Sequence, residues 1–244
     1  MQSPNFDVNK FNDFVKNEIV LPCIHAISSP PDIYRNTLDP FSAQIDCMIR
    51  GIFPEVWVNF EKERQRQKTL QGKIGYLHEN VIDCFEGWEK LEQGKVIDCK
   101  NDKNMIIAEI KNKHNTTKGN HKKDIYDDLE HQIDTIYQGY QAYYVEILPK
   151  NKKRYSKCFT PSDNKLKTNR PSRDDIKIID GKTFYGLVSG NDEFINKLYM
   201  EILPNSIILA LQEAKKDNNS INLQILTDIY SDPYFITFYD KVFD

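Results

Sequence analysis

The sequence predicts an α/β fold, a central mixed β-sheet flanked by helices, with helical extensions at both ends. Three observations carry this. Apolar residues recur at helical spacing over residues 5–28 and again through 41–90. The period then shortens to that of strands near residues 95–113 and 142–148. Between those strands, over 124–140, helical spacing returns.

Each element has its own signal. The first helix stops at Ser28-Ser29-Pro30-Pro31, because proline cannot continue a helix. Residues 41–85 read as two or more helices, and WVNFEKERQRQKTL (57–70) is polar nearly all round. Over 73–90, Ile74, Leu77, Val81, Cys84, Phe85 and Trp88 form an apolar stripe. His78 sits at the edge of that stripe and reads as a packed or hydrogen-bonded histidine, while Glu79 lies on the polar side. Residues 95–99 read as a short strand, 101–104 as a turn and 105–113 as a second strand, together a β-hairpin. Ile125, Leu129, Ile133, Ile136 and Tyr140 mark the next helix, and AYYVEIL (142–148) the next strand. Residues 150–175 read as loop, 184–188 as a strand, 191–202 and 205–215 as helices, and the end as an aromatic-rich tail.

Composition narrows the function classes. The chain has 244 residues, 39% hydrophobic and 28% charged, with net charge −3. Such a balance does not announce a nucleic-acid binder by overall charge, so only local patches can. The five cysteines, at 23, 47, 84, 99 and 158, include no CxxC pair. They read as free thiols of a reducing compartment rather than a disulfide framework or zinc site. The first residues, MQSPNFDVNKF, lack the basic-then-apolar pattern of a signal peptide. No apolar run approaches the roughly 18 residues that span a bilayer. The expectation is a cytoplasmic protein without a membrane partner.

AEIKNK (108–113) is the anomaly in this pattern, since it ends an apolar strand with Glu109 and Lys111. Side chains two apart on a strand share a face. If residues 101–104 form a four-residue hairpin loop, Asp98 lies opposite Ile107 and diagonal to Glu109. A two-residue loop keeps the two acids on one face; a three-residue loop does not. Two carboxylates this close raise each other's pKa, and a divalent cation removes the conflict. Oxygen ligands with few histidines favour Mg²⁺ over zinc. Carboxylates, Mg²⁺ and a lysine are the parts of metal-assisted phosphodiester hydrolysis. The bare spacing also fits an edge-strand salt bridge with Asp98 capping a turn.

Asp98, Glu109 and Lys111 in this context resemble the PD-(D/E)xK nuclease motif, with Ile97 in place of the proline. The blocks 61–82 (EKERQRQKTLQGKIGYLHENVI), 108–119 (AEIKNKHNTTKG) and 179–190 (IDGKTFYGLVSG) resemble a family of type II restriction endonucleases that cut GGNCC-type palindromes. The resemblance implies a restriction-endonuclease-like core. It implies Asp98 and Glu109 as Mg²⁺ ligands, with the carbonyl of Ile110 as a third oxygen and Mn²⁺ as a substitute ion. It further implies that Lys111 positions the attacking water. Glu79, where the family carries a glutamine, would complete or support the metal site.

DNA contacts are expected from three places. Residues 150–173 carry nine basic residues against one acid, Asp163, a local charge of +8 suited to phosphates. Arg154, Lys167 and Arg170 represent that segment, which also offers Ser162, Asn164, Thr168 and Asn169. Asn112, Lys113, Asn115, Thr116 and Lys118 follow the acidic strand directly, beside the expected scissile phosphate. Arg64, Gln65 and Lys68 lie on the polar helix, as base readers or as a face ion-paired with Glu61 and Glu63. The organisation expected is one domain over 1–244: a helical extension over 1–70, a nuclease core over 71–203 with the basic loop inserted, and a helical, aromatic tail over 204–244. Its partner is double-stranded DNA. A palindromic site requires a homodimer, through the N-terminal helices or the tail. A host methyltransferase is the functional partner. A structure-selective repair nuclease and a non-cleaving DNA-binding protein are the other readings that fit.

Overall fold

The computed structural model describes residues 4–28, 33–35, 38–92, 94, 96–115, 119–215 and 225–243. The chain starts with a continuous helical run: α1 (Val8–Phe14), a π-turn segment (Val15–Val20) and α2 (Leu21–Ser28). Asp7 caps it by accepting the Lys10 N–H. Next come α3 (Pro40–Arg50), capped by Asp39, and α4 (Pro54–Gly75). Both carry proline in the first turn, where no N–H is needed. The single helix expected over 73–90 is instead the end of α4, the short α5 (Leu77–Ile82) and a turn into the edge strand β1 (Glu89–Lys90). The break falls at Gly75-Tyr76; glycine weakens helix at that point.

The hairpin follows as β2 (Cys99–Asn101) and β3 (Ile106–Lys113). Its register differs from the expected one. Asn101 pairs with Ile106 and Cys99 with Ala108, so the four-residue loop is Asp102 to Met105. Met105 closes the loop at φ 52°, in the left-handed region. The shift sets Asp98 beside Glu109 rather than beside Ile107. The β2 ladder ends at Cys99, so the strand expected over 95–99 begins where that expectation ended.

Helix α6 (Gly119–Thr135) then leads to β4 (Gln141–Leu148), parallel to β3. The segment expected to be a loop contains β5 (Ser156–Cys158) and the small hairpin β6 (Ser162–Asp163) and β7 (Thr168–Asn169). Strand β8 (Ile176–Asp180) is parallel to β4, and β5 pairs antiparallel to its other side. The six-stranded mixed sheet therefore runs β1-β2-β3-β4-β8-β5.

Residues 184–188, expected to be a strand, lie in helix α7 (Gly181–Ser189). Asp180 explains the difference. Its side chain accepts the Thr183 N–H at 3.0 Å, an N-cap that starts a helix. The run Phe184, Tyr185, Leu187, Val188 is short enough to read as either period.

Helix α8 (Phe194–Lys197), a π segment (Leu198–Ile202) and α9 (Leu203–Lys215) form one run. By length and composition this run is apolar enough to cross a bilayer, which the sequence reading did not anticipate. Its Ile195, Leu198 and Ala210 are core residues, packed with Phe11, Val15 and Val20 of the first helices. Helices α10 (Leu226–Tyr230) and α11 (Pro233–Phe243) close the chain.

Two apolar clusters cover the two faces of the sheet. Ile106, Ala108 and Ile110 of β3 belong to the larger one with α1, α5, α7 and α9; Ile107 belongs to the other with Tyr126, Leu129 and Ile133 of α6. By alternation Glu109 and Lys111 share the face of Ile107. A Cβ on Gly181 would lie 2.4 Å from the Ile147 carbonyl oxygen, so only glycine lets α7 start this close to β4. Gly181→Ala is expected to destabilise the fold by about 1–3 kcal/mol. Urea unfolding measures this; an unchanged midpoint would contradict the close approach.

Candidate active site

Strand β3 is central, and β2 runs out beside its C-terminal half. Asp98, one residue before β2, uses the vacated edge. Its N–H donates to the Ala108 carbonyl at 2.9 Å, and its Oδ2 accepts the Ile110 N–H at 2.6 Å. In a strand the N–H and C=O of one residue point to the same side. The Ile110 carbonyl is thus aimed toward Asp98, past the end of the β2 ladder.

Glu109 is buried, and Lys111 Nζ donates to its Oε1 at 2.5 Å. Burial pushes the Glu109 carboxyl up to about 8; the nearby Asp98 adds to this, and Lys111 opposes it. Glu79, on α5, is buried too. Burial and then the charge of Asp98 push it up to about 7, against Lys90 and Lys111. For Lys111, burial lowers the pKa, but the charge and hydrogen bond of Glu109 outweigh it and the net shift is upward. The three predicted acids and the predicted lysine therefore meet in one electrostatic cluster, with more carboxylate than nearby ammonium.

Among the described residues no group of three or more His, Cys, Asp or Glu side chains is close enough for an all-side-chain metal cage. Mg²⁺ does not need one; it binds through one or two carboxylates and keeps waters or substrate phosphates. The pair Asp98 and Glu109 with the Ile110 carbonyl is an oxygen donor set of that kind. Two carboxyls that burial and repulsion push toward neutrality are chemically suited to a divalent cation.

A cleft of about 880 Å³ opens onto this cluster, lined by His78, Glu79, Asp98, Ile110, Lys111 and Asn112 on one side and by Tyr199 and Phe238 on the other. His78 is buried, its Nδ1 2.9 Å from the Tyr185 hydroxyl, and burial pushes its pKa down to about 4. Asn112 hydrogen-bonds the same imidazole. A neutral His78 thus ties α5, which carries Glu79, to β3, which carries Lys111, and to α7. The expected packed role fits His78.

The predicted DNA contacts divide. Lys113 and Asn115 are exposed beside the cluster, whereas Asn112 is engaged with His78. Thr116 and Lys118 lie outside the described residues. Gln65 is buried and donates to the Ile33 carbonyl and to Glu61, while Arg64 ion-pairs with Glu61 at 2.6 Å. Lys68 is exposed. In the basic segment Lys167 is exposed at φ 53°, Arg170 pairs with Asp127 of α6, and Arg154 contacts Thr183 and Asp192. Arg173 is held by Glu130, Asp134 and Asp175. The acidic face of α6 thus offsets part of the +8.

One polar group was missed. Glu146 of β4 pairs in register with Lys111 and is buried on the same face. It takes Lys122 Nζ at 2.5 Å and the Tyr155 hydroxyl at 2.6 Å. A glutamate inside the apolar strand AYYVEIL is the same anomaly that marks AEIKNK.

A carboxyl with a raised pKa keeps its proton in the folded state after the unfolded chain has lost it. The stability linked to Glu79 and Glu109 is therefore fully present below about pH 4.5 and is lost as pH rises through about 7 and about 8. Scanning calorimetry of metal-free protein should show Tm falling between about pH 5 and about pH 8, less steeply in Glu109→Gln. Equal slopes in the two proteins would contradict the assignment.

Comparison with known proteins gives the chain a family. The family model described as Eco47II restriction endonuclease matches residues 6–212. The type II restriction enzyme Eco47II of Escherichia coli is 36% identical over 181 residues, which is 73% of this chain and 75% of that protein. The type II restriction enzyme Sau96I of Staphylococcus aureus is 26% identical over 264 residues, covering 94% of this chain and 99% of that protein. The match spans most of the chain and includes the carboxylate cluster, its supporting helix α5 and the capped turn into α7; the chain belongs to the Eco47II restriction endonuclease family, the type II site-specific deoxyribonucleases that act on double-stranded DNA.

Proposed function

We propose that this enzyme cuts both strands of a short palindromic site, GGNCC-like, by Mg²⁺-assisted hydrolysis. The observation that supports it is the meeting of Asp98, Glu109 and Glu79 with Lys111 at the end of β3. Enzymes of this type depend on a divalent cation. Asp98, Glu109 and the Ile110 carbonyl are the proposed ligands, for Mg²⁺ with Mn²⁺ as substitute. The ion would neutralise charge at the scissile phosphate and act as a Lewis acid.

The chain's own groups supply the rest. Lys111 orients the attacking water and stabilises the negative charge that develops on the phosphoryl oxygens. Glu79, pushed up to about 7, is placed to hold a proton or to add a carboxylate to the site. Water attacks the phosphorus in line and leaves a 5′-phosphate and a 3′-hydroxyl.

Lys113, Asn115, Thr116, Lys118, Lys68, Arg154, Lys167 and Arg170 are the proposed phosphate and base contacts. Arg64 and Gln65 would exchange their present protein partners for DNA, and Asn112 would contact it while still bonded to His78. The proposed organisation is one domain, with helical extensions on a nuclease core that spans 71–203. A homodimer matches a two-fold site. A cytoplasmic location and a methyltransferase that protects the host complete the reading.

The test is digestion of a long DNA of known sequence, with about 5–10 mM Mg²⁺ or with EDTA. Discrete fragments that require Mg²⁺ are expected, and sequencing their ends names the site. A smear, or fragments in EDTA, would contradict the reading. Asp98→Ala and Lys111→Ala should each lose cleavage by at least about 100-fold with folding intact, and Asp98→Ala should still bind duplex. Normal cutting by Asp98→Ala would remove it from the site.

A further inference from the structure

Helix α3, PFSAQIDCMIR, repeats apolar residues at Phe41, Ile45, Met48 and Ile49. The spacing i, i+4, i+7, i+8 makes one stripe, the pattern of a helix that covers a core. Here the stripe is 58–79% exposed, and no residue of α3 is buried. Phe53, Val56 and Phe60, leading into and along α4, extend the same exposed apolar surface. A groove of about 640 Å³ between α3 and α4 is lined by Phe41, Ile45 and Ile49 of the stripe, by Trp57 and Phe60, and by Asp46 and Arg50.

The two helices are fixed to each other across that groove. Trp57 Nε1 donates to Asp46 at 3.1 Å, and the Arg50 guanidinium sits 4.2 Å from the Phe60 ring centroid while pairing with Asp46. The two helices therefore present one surface of fixed shape, apolar along the stripe and mixed polar and apolar in the groove.

Area argues that something covers it. Taking about 200 Å² for a whole large side chain, the exposed fractions of these seven residues come to roughly 900 Å². That exceeds the patch of roughly 300–600 Å² usual on a monomer, and it is of the size of one partner's share of a standard interface, about 800 Å². Stripe and groove form one surface, and its rim carries both signs of charge, Asp39 and Asp46 beside Arg50. An apolar patch of this area with both signs of charge on its rim can meet its own copy across a two-fold axis, an isologous contact.

We infer that the α3–α4 face is the seam through which a second copy of this chain docks, the exposed α3 stripe of each copy packed against the α3–α4 face of the other. The choice of a second copy rests on the proposed palindromic site. Helix α11 also exposes Tyr234, Phe235, Ile236 and Phe238, but less apolar surface in total; its Tyr239 is buried in the core, Phe243 packs against it, and Phe238 lines the cleft. The seam is therefore assigned to the N-terminal hairpin and not to the tail.

Sedimentation equilibrium over a dilution series tests this on the full chain. The wild type should weigh two chains. Met48→Glu with Ile49→Glu puts like charges across the seam and should weaken dimerisation by at least about 100-fold. Because both side chains are exposed, the circular dichroism spectrum should not change. Met48→Ser with Phe53→Ser is the milder pair should the charged one unfold, and it should weaken the dimer in the same direction. Tyr234→Glu with Ile236→Glu on α11 should leave the dimer intact. The monomeric variant should nick supercoiled plasmid and lose linear product.

A dimer that survives both seam pairs, or one that only the α11 pair breaks, overturns the seam and leaves the proposed cleavage untouched. A wild type that stays one chain, free and on its cut site, while still cutting both strands overturns the seam and the homodimer together but not the nuclease. A wild type that is a seam-dependent dimer yet cuts nothing overturns the proposed cleavage alone.

Discussion

Three carboxylates crowd the edge that β2 vacates beside β3, and Lys111 is hydrogen-bonded into them. The surrounding architecture keeps that unfavourable arrangement in place. Buried acids at this separation would move apart or stay protonated if the backbone allowed it. They do not separate because Asp98 is pinned by two main-chain hydrogen bonds to β3, and Glu109 is part of a strand with parallel and antiparallel neighbours on either side. Burial and mutual repulsion hold Glu79 and Glu109 toward the protonated form, and a divalent ion would take the place of those protons.

The supporting layers follow from this constraint. Glu79 is useful only if α5 holds its distance from β3, and the neutral His78 does so by bonding to Tyr185 and Asn112 together. Tyr185 is on α7, whose start is pressed against Ile147 of β4 through Gly181. Packing thus runs from the central strands through α7 to α5 and back to the carboxylates. Such a buried polar link has high stakes, since it rigidifies when satisfied and costs stability when broken. On the face that Glu109 and Lys111 share, Glu146 carries its own lysine and tyrosine, which leaves Lys111 to Glu109.

Much of this was legible in the amino acids. A glutamate and a lysine closing an apolar strand have few reasons to be there, and Asp98 follows from hairpin geometry. The register itself was off by two positions, because Asn101 pairs with Ile106 instead of opening the turn. An even shift preserves the face, so the acids still met. The strand read at 184–188 failed for a different reason. A five-residue apolar run carries no period long enough to separate strand from helix. The deciding signal was the Asp180 cap, three residues before Thr183. Gln65 and the basic segment mark the limit of charge reading. Whether a polar side chain faces DNA or a neighbouring helix depends on tertiary partners such as Glu61, Asp127 and Asp134.

The central claim is that Glu79 and Glu109 surrender protons when the site takes a cation. Calorimetric titration of Mg²⁺ into the protein at about pH 7, in two buffers of different ionisation enthalpy, counts those protons directly. The account predicts release of about one proton or more per ion bound, reduced in Glu109→Gln. Binding with no proton release, or release unchanged by that substitution, would contradict it.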